Sequence, residues 1–186
     1  MDRIRFAFQS RQSVPESNMN QPSPSLPSIR SLVMIPAWIT LGVTAARLFL
    51  ELGAMPGWLA SSEAGGDGAV VGIVWLPLIF GPYFAARIRP HVVGQKAFLW
   101  QLAKTLFAYG MAARIPVVLL SIAAILGEWG THYEKFPFEA GVGLKILATV
   151  GAQLIVWACV WTVLAGTIAA LIVQAVRPSR SPATAA

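Results

Sequence analysis

Apolar positions in this chain run on for a whole helix or more, with no alternation that would mark a strand. Four such stretches lie at approximately 33 to 58, 69 to 87, 98 to 127 and 146 to 176. A helix rises about 1.5 Å per residue and the hydrocarbon core of a bilayer is about 30 Å thick, so each stretch predicts a transmembrane helix. The expected fold is all-α, an integral membrane bundle of four transmembrane helices. The second stretch is the shortest and holds Pro77 and Pro82. The fourth contains 31 residues without a charge and must tilt or project beyond the core. Pro77 and Pro116 each remove a backbone donor, which predicts kinks at both positions.

Outside these stretches the pattern changes. Residues 1 to 30 are rich in Ser, Pro, Gln and Asn, with no apolar run to bury, and read as a disordered tail. Residues 177 to 186, with Arg177, Pro178, Arg180 and Pro182, read as a second one. The transmembrane domain is therefore expected over 31 to 176. Arg3, Arg5 and Arg11 are followed by polar residues where a signal peptide needs an apolar region, so the first stretch reads as an uncleaved anchor.

Composition supports the class. Of the 186 residues 56% are hydrophobic and 12% charged, with a mean hydropathy of +0.64. Soluble domains carry about 25% charged residues, so a soluble fold is excluded, and disorder is excluded by the high hydrophobicity. The net charge of +6 would suggest nucleic acid in a soluble protein. Here the cations flank apolar runs, and the expected partner is the lipid bilayer, with a homo-oligomer or a larger membrane complex as further options. Arg3, Arg5, Arg11, Arg30, Arg87, Arg89, Lys96, Arg177 and Arg180 fall on one side of the four-helix arrangement, against Lys135 and Lys145 on the other. The positive-inside rule then places both termini in the cytoplasm. The single cysteine, Cys159, cannot form an intrachain disulfide, and His91 and His132 make no zinc-ligand cluster. No cofactor or metal is expected.

Candidate chemistry lies inside the predicted bundle. In the first helix Thr40, Thr44, Arg47, Glu51 and Trp58 have offsets of 0, 4, 7, 11 and 18. At about 100° per residue they fill one stripe about 60° wide, which should face protein. The third helix carries Arg114 at similar depth, on a face with Gly110, Val117 and Ser121. An ionisable residue at mid-bilayer is costly, so these groups need partners, and Glu51 is expected to pair with Arg114 in competition with Arg47. One reading is a positively biased site for an anion, a headgroup or a solute; the other is polar glue between helices.

The fourth helix adds Gln153, Thr167 and Gln174 on a heptad-like stripe, and small residues at Ala165, Gly166, Ala169 and Ala170. These suit a pore lining or dimer seam, or packing within one chain. The loop Gly127 to Pro137 combines Trp129, His132, Tyr133 and Glu134 and reads as an interfacial aromatic cap with solvated charges. The runs Ala113-Arg114-Ile115-Pro116-Val117, Trp129-Gly130-Thr131-His132-Tyr133-Glu134 and Gln153-Leu154-Ile155-Val156-Trp157 resemble a pattern in an uncharacterised family of small multi-pass bacterial membrane proteins. The resemblance covers the C-terminal half, implies a bacterial inner-membrane location, and brings no activity or binding residue with it.

The expected role is a non-catalytic binding or accessory subunit. Alternatives are a small oligomeric transporter or ion-pathway protein using the cluster Arg47, Glu51, Arg114, Thr44, Ser121 and Gln153, and thirdly a membrane enzyme acting on a lipid through His132 and Glu134.

Overall fold

A short serine motif starts the first helix. Ser28 is extended (φ −62°, ψ 145°) and its hydroxyl accepts the Ser31 amide at 3.2 Å, satisfying one of the donors that a helix N-terminus leaves free. Helix α1 then runs Ile29–Leu52. A computed structural model describes residues 25 to 53, 73 to 136 and 139 to 176. The tails 1 to 24 and 177 to 186 lie outside the described residues, as do Trp58, Glu63 and Asp67. After α1, a 3-10 turn at Ile73–Trp75 leads into α2, Leu76–Ile88. A second 3-10 turn, Arg89–His91, precedes α3 at Gln95–Gly127, and α4 is a continuous helical segment, Val142–Val176.

Among the described residues there is no strand. Helices α1, α3 and α4 are each long and apolar enough to cross a membrane. The second apolar stretch forms a shorter element than the other three. Its 3-10 turn and α2 together rise only about 25 Å. The kink expected at Pro77 is corrected by the same observation. Pro77 lies in the first turn of α2, where no helical amide bond is needed, so it starts the helix and does not bend it. Pro116 lies well inside the unbroken α3, and Pro36 and Pro82 inside α1 and α2.

One core layer shows the chain path. It joins Leu32 and Val33 at the start of α1, Phe84 and Ile88 at the end of α2, Phe98 and Leu102 at the start of α3, and Ala170 near the end of α4. Consecutive helices therefore run antiparallel. Phe80, Phe84 and Tyr109 pack edge to face at centroid distances of 5.3 and 5.6 Å, which suits their ring quadrupoles. A smaller cluster of Val117, Ala124 and Tyr133 fills the other end.

Glycine sets two close approaches. A Cβ on Gly81 of α2 would fall 2.1 Å from the Gly166 carbonyl oxygen of α4, and one on Gly110 of α3 would fall 2.7 Å from the Ala158 carbonyl. Of the small residues of α4, Ala165, Gly166 and Ala170 are buried within the chain, and Ala169 is half-buried. The centre of α4, Gly151–Trp161, is wound as a π-helix. Side chains help its widened ladder, with the Thr162 hydroxyl donating to the Trp157 carbonyl at 2.7 Å and the Cys159 thiol to that of Leu154 at 2.9 Å.

Candidate functional site

The last two turns of α1 present Arg47 and Glu51 four residues apart, hence on one face. Arg47 Nε donates to Glu51 Oε1 at 2.9 Å, and the Glu51 side chain has no solvent exposure. An isolated carboxylate so placed would be costly, and a second element meets it. The loop after α3 returns over the end of α1 and sets the His132 amide 3.1 Å and its ring Nδ1 2.7 Å from Glu51 Oε2. An ionised carboxylate only accepts, so Nδ1 carries the proton in this contact.

Backbone geometry makes that return possible. Glu128, after α3, has φ 51° and Gly130 has φ 73°, two left-handed residues that reverse the chain. The Glu134 amide donates to the Thr131 carbonyl at 3.3 Å, and the Gly130 amide donates to the Glu134 carboxylate, closing a tight turn around His132. Tyr133 points inward, against Val117 and Ala124. Burial pushes its phenol up to about 12; the Glu51 charge adds to the rise, and Arg47 and Arg114 oppose it. Tyr133 therefore remains a neutral phenol at neutral pH.

The second polar group is separate. Arg114, 6% exposed, donates from Nη1 to Gln153 Oε1 at 3.1 Å, and its guanidinium lies 5.2 Å from the Trp157 ring centroid. A desolvated cation over an indole face gains about 2 kcal/mol or more. Both partners come from the π-wound part of α4. On the α1 side of α3 the Thr40 hydroxyl lies 2.8 Å from the Tyr109 hydroxyl and donates to the Pro36 carbonyl.

The ion pair expected between Glu51 and Arg114 is not formed. Arg47, on its own helix, and His132 take the carboxylate, while Arg114 turns to α4. Of the six residues expected in one cluster, Arg47 and Glu51 meet, and Arg114 and Gln153 meet. Thr44 is buried, but its hydroxyl donates to the Thr40 carbonyl at 3.0 Å and is used by its own helix. Ser121 is buried on α3 and is not among the groups these hydrogen bonds join. His132, read as part of a solvated cap or as a candidate acid or base, makes a contact with Glu51 that sequence reasoning misses. It lies 81 positions from Glu51, and no periodicity relates them. Glu51 and His132 do not extend to a third metal-binding side chain among the described residues.

No protein-family model, curated protein or solved structure matches the chain. Function is therefore read from this geometry.

Proposed function

We propose that the chain is a four-pass protein of a bacterial inner membrane, with α2 as a short fourth span and both termini cytoplasmic, and that its role is a non-catalytic binding or accessory one. The observation that supports this reading is how the internal charges are used. Both oxygens of Glu51 are engaged by Arg47 and His132, and Arg114 is engaged by Gln153 and Trp157. A transport site must leave charge open to its solute, and a general acid or base must reach its substrate. These groups instead fasten helix to loop and helix to helix. What the chain offers outward is apolar, with Ile35, Trp38 and Phe49 exposed on α1 and Leu147 and Ile155 on α4.

The functional test is solute flux. Proteoliposomes holding the purified chain should take up chloride or phosphate no faster than protein-free vesicles; uptake that disappears in Arg114→Gln would replace this reading with the transport one. Topology is checked separately by single cysteines in a Cys159→Ala background. Positions 10, 94 and 181 should react with an impermeant maleimide from the cytoplasmic side, and positions 66 and 135 from the other. Lys135 serves as the loop reporter because it is exposed, whereas Thr131 is buried. Reaction at position 94 from the outer side would remove α2 as a span.

A further inference from the structure

We propose that the turn between α2 and α3, with the first turns of α3, is a docking surface for an anionic phospholipid, Lys96 and Lys104 holding the headgroup and Trp100 bedding its chain. The inference needs α3 to lie in a membrane and is independent of the accessory role. A hollow of about 530 Å³ opens at this turn, lined by Val93, Gly94, Gln95, Lys96, Ala97 and Trp100. Its apolar members face outward: Val93 is 97% exposed and Trp100 66%. Apolar surface presented this way fits an apolar ligand and not water.

Spacing then puts the cations in place. Lys96, Trp100 and Lys104 follow one another at intervals of four, so they form one row on α3, and exposed Phe107 continues that face away from the turn. The Lys104 ammonium lies 5.6 Å from the Trp100 ring centroid. Its long stem lets the charge reach back along the ring toward the helix start, where Lys96 sits. The row therefore reads, from the turn inward, as cation, aromatic, cation, aromatic. With the Lys104 ammonium held against the Trp100 ring, a phospholipid can set its charges at the interface beside both lysines and its chains below, along Trp100 and Phe107.

Charge complementarity selects an anionic headgroup. No acidic residue occurs between Asp67 and Glu128, while Arg87, Arg89, Lys96 and Lys104 all fall in that interval. Arg89 is drawn onto the Phe98 ring, at 5.1 Å from its centroid, leaving the two lysines as the cations flanking the hollow's tryptophan. A zwitterionic headgroup would bring its own cation against them, whereas an anionic one adds attraction at each lysine.

The test uses the full chain in dodecylmaltoside, with thermal unfolding and native mass spectrometry as readouts. Phosphatidylglycerol should be retained and raise the melting temperature; phosphatidylcholine with the same acyl chains, and inorganic phosphate alone, should not. The Lys96→Gln, Lys104→Gln double variant should lose at least about tenfold in phosphatidylglycerol affinity, and Lys135→Gln with Lys145→Gln should lose none. If the first double variant does not fold, the wild-type shift is followed against salt, where it should shrink as the exposed charges are screened. Unchanged affinity in that variant, equal binding of phosphatidylcholine, a shift reproduced by inorganic phosphate, or a salt-independent shift would each overturn the proposal.

Discussion

Replacing Glu51 by alanine is expected to lower the unfolding free energy by about 3 to 5 kcal/mol, the range for removing one partner of a buried ion pair. The size follows from what the carboxylate holds. Its side chain is fully buried, and it accepts from the Arg47 guanidinium, the His132 amide and the His132 ring. Without it, Arg47 loses its counter-charge and the loop loses its attachment to α1. Unfolding by sodium dodecyl sulfate in mixed micelles measures the loss. A double-mutant cycle with His132→Ala should give a coupling of about 0.5 to 3 kcal/mol, since the two side chains touch. The same cycle between Glu51 and Arg114 should give a smaller one, because their hydrogen-bond partners differ. A loss below about 1 kcal/mol in Glu51→Ala would be that of an exposed pair and would mean the clasp is open in the membrane.

The helices were legible because long apolar runs have few alternatives, and the bounds of α1, α3 and α4 differ from the apolar stretches mainly at their ends. Caps explain part of that. Ser28 starts α1 earlier than hydrophobicity alone suggests, since the capping hydroxyl and not the first apolar residue sets the start. The candidate site was legible only in part. A stripe calculation finds Arg47 and Glu51, because the contact is within one helix, and it correctly asks for partners. It cannot supply them. Arg114 and Glu51 share a depth by counting residues, yet depth does not fix which way a side chain turns. The π-wound centre of α4 is the deeper reason. It winds by i→i+5 and shifts the phase of every residue beyond it, so a 3.6-residue stripe through Gln153, Thr167 and Gln174 does not hold. Nothing in the run from Gly151 to Trp161 marks that winding, and it is what carries Gln153 and Trp157 to Arg114. The loop was misread for a related reason: a lone histidine near carboxylates has the same composition whether it is solvated or docked.

Gly81 is where the second large effect is expected. A Cβ there would meet the Gly166 carbonyl oxygen at 2.1 Å and the Gly166 Cα at 2.7 Å. These are backbone atoms, so no rotamer change relieves the overlap and α2 and α4 must separate. Close approach of this kind is a main source of helix association where lipid removes the hydrophobic drive, and α2, 13 residues long, has little other length over which to pack. Gly81→Leu should therefore reach or exceed the upper end of the roughly 1 to 3 kcal/mol typical of overpacking. The contact partner gives an internal comparison. A Cβ on Gly166 would meet the Leu106 side chain at 2.5 Å, whose end can shift, so Gly166→Ala should cost less than Gly81→Ala. Gly42, inside α1, has nothing within 4 Å, and Gly42→Ala should not destabilise and should gain up to about 1 kcal/mol from helix propensity. Unfolding in mixed micelles ranks the three. If Gly81→Ala proves as mild as Gly42→Ala, α2 does not pack on α4 in this register.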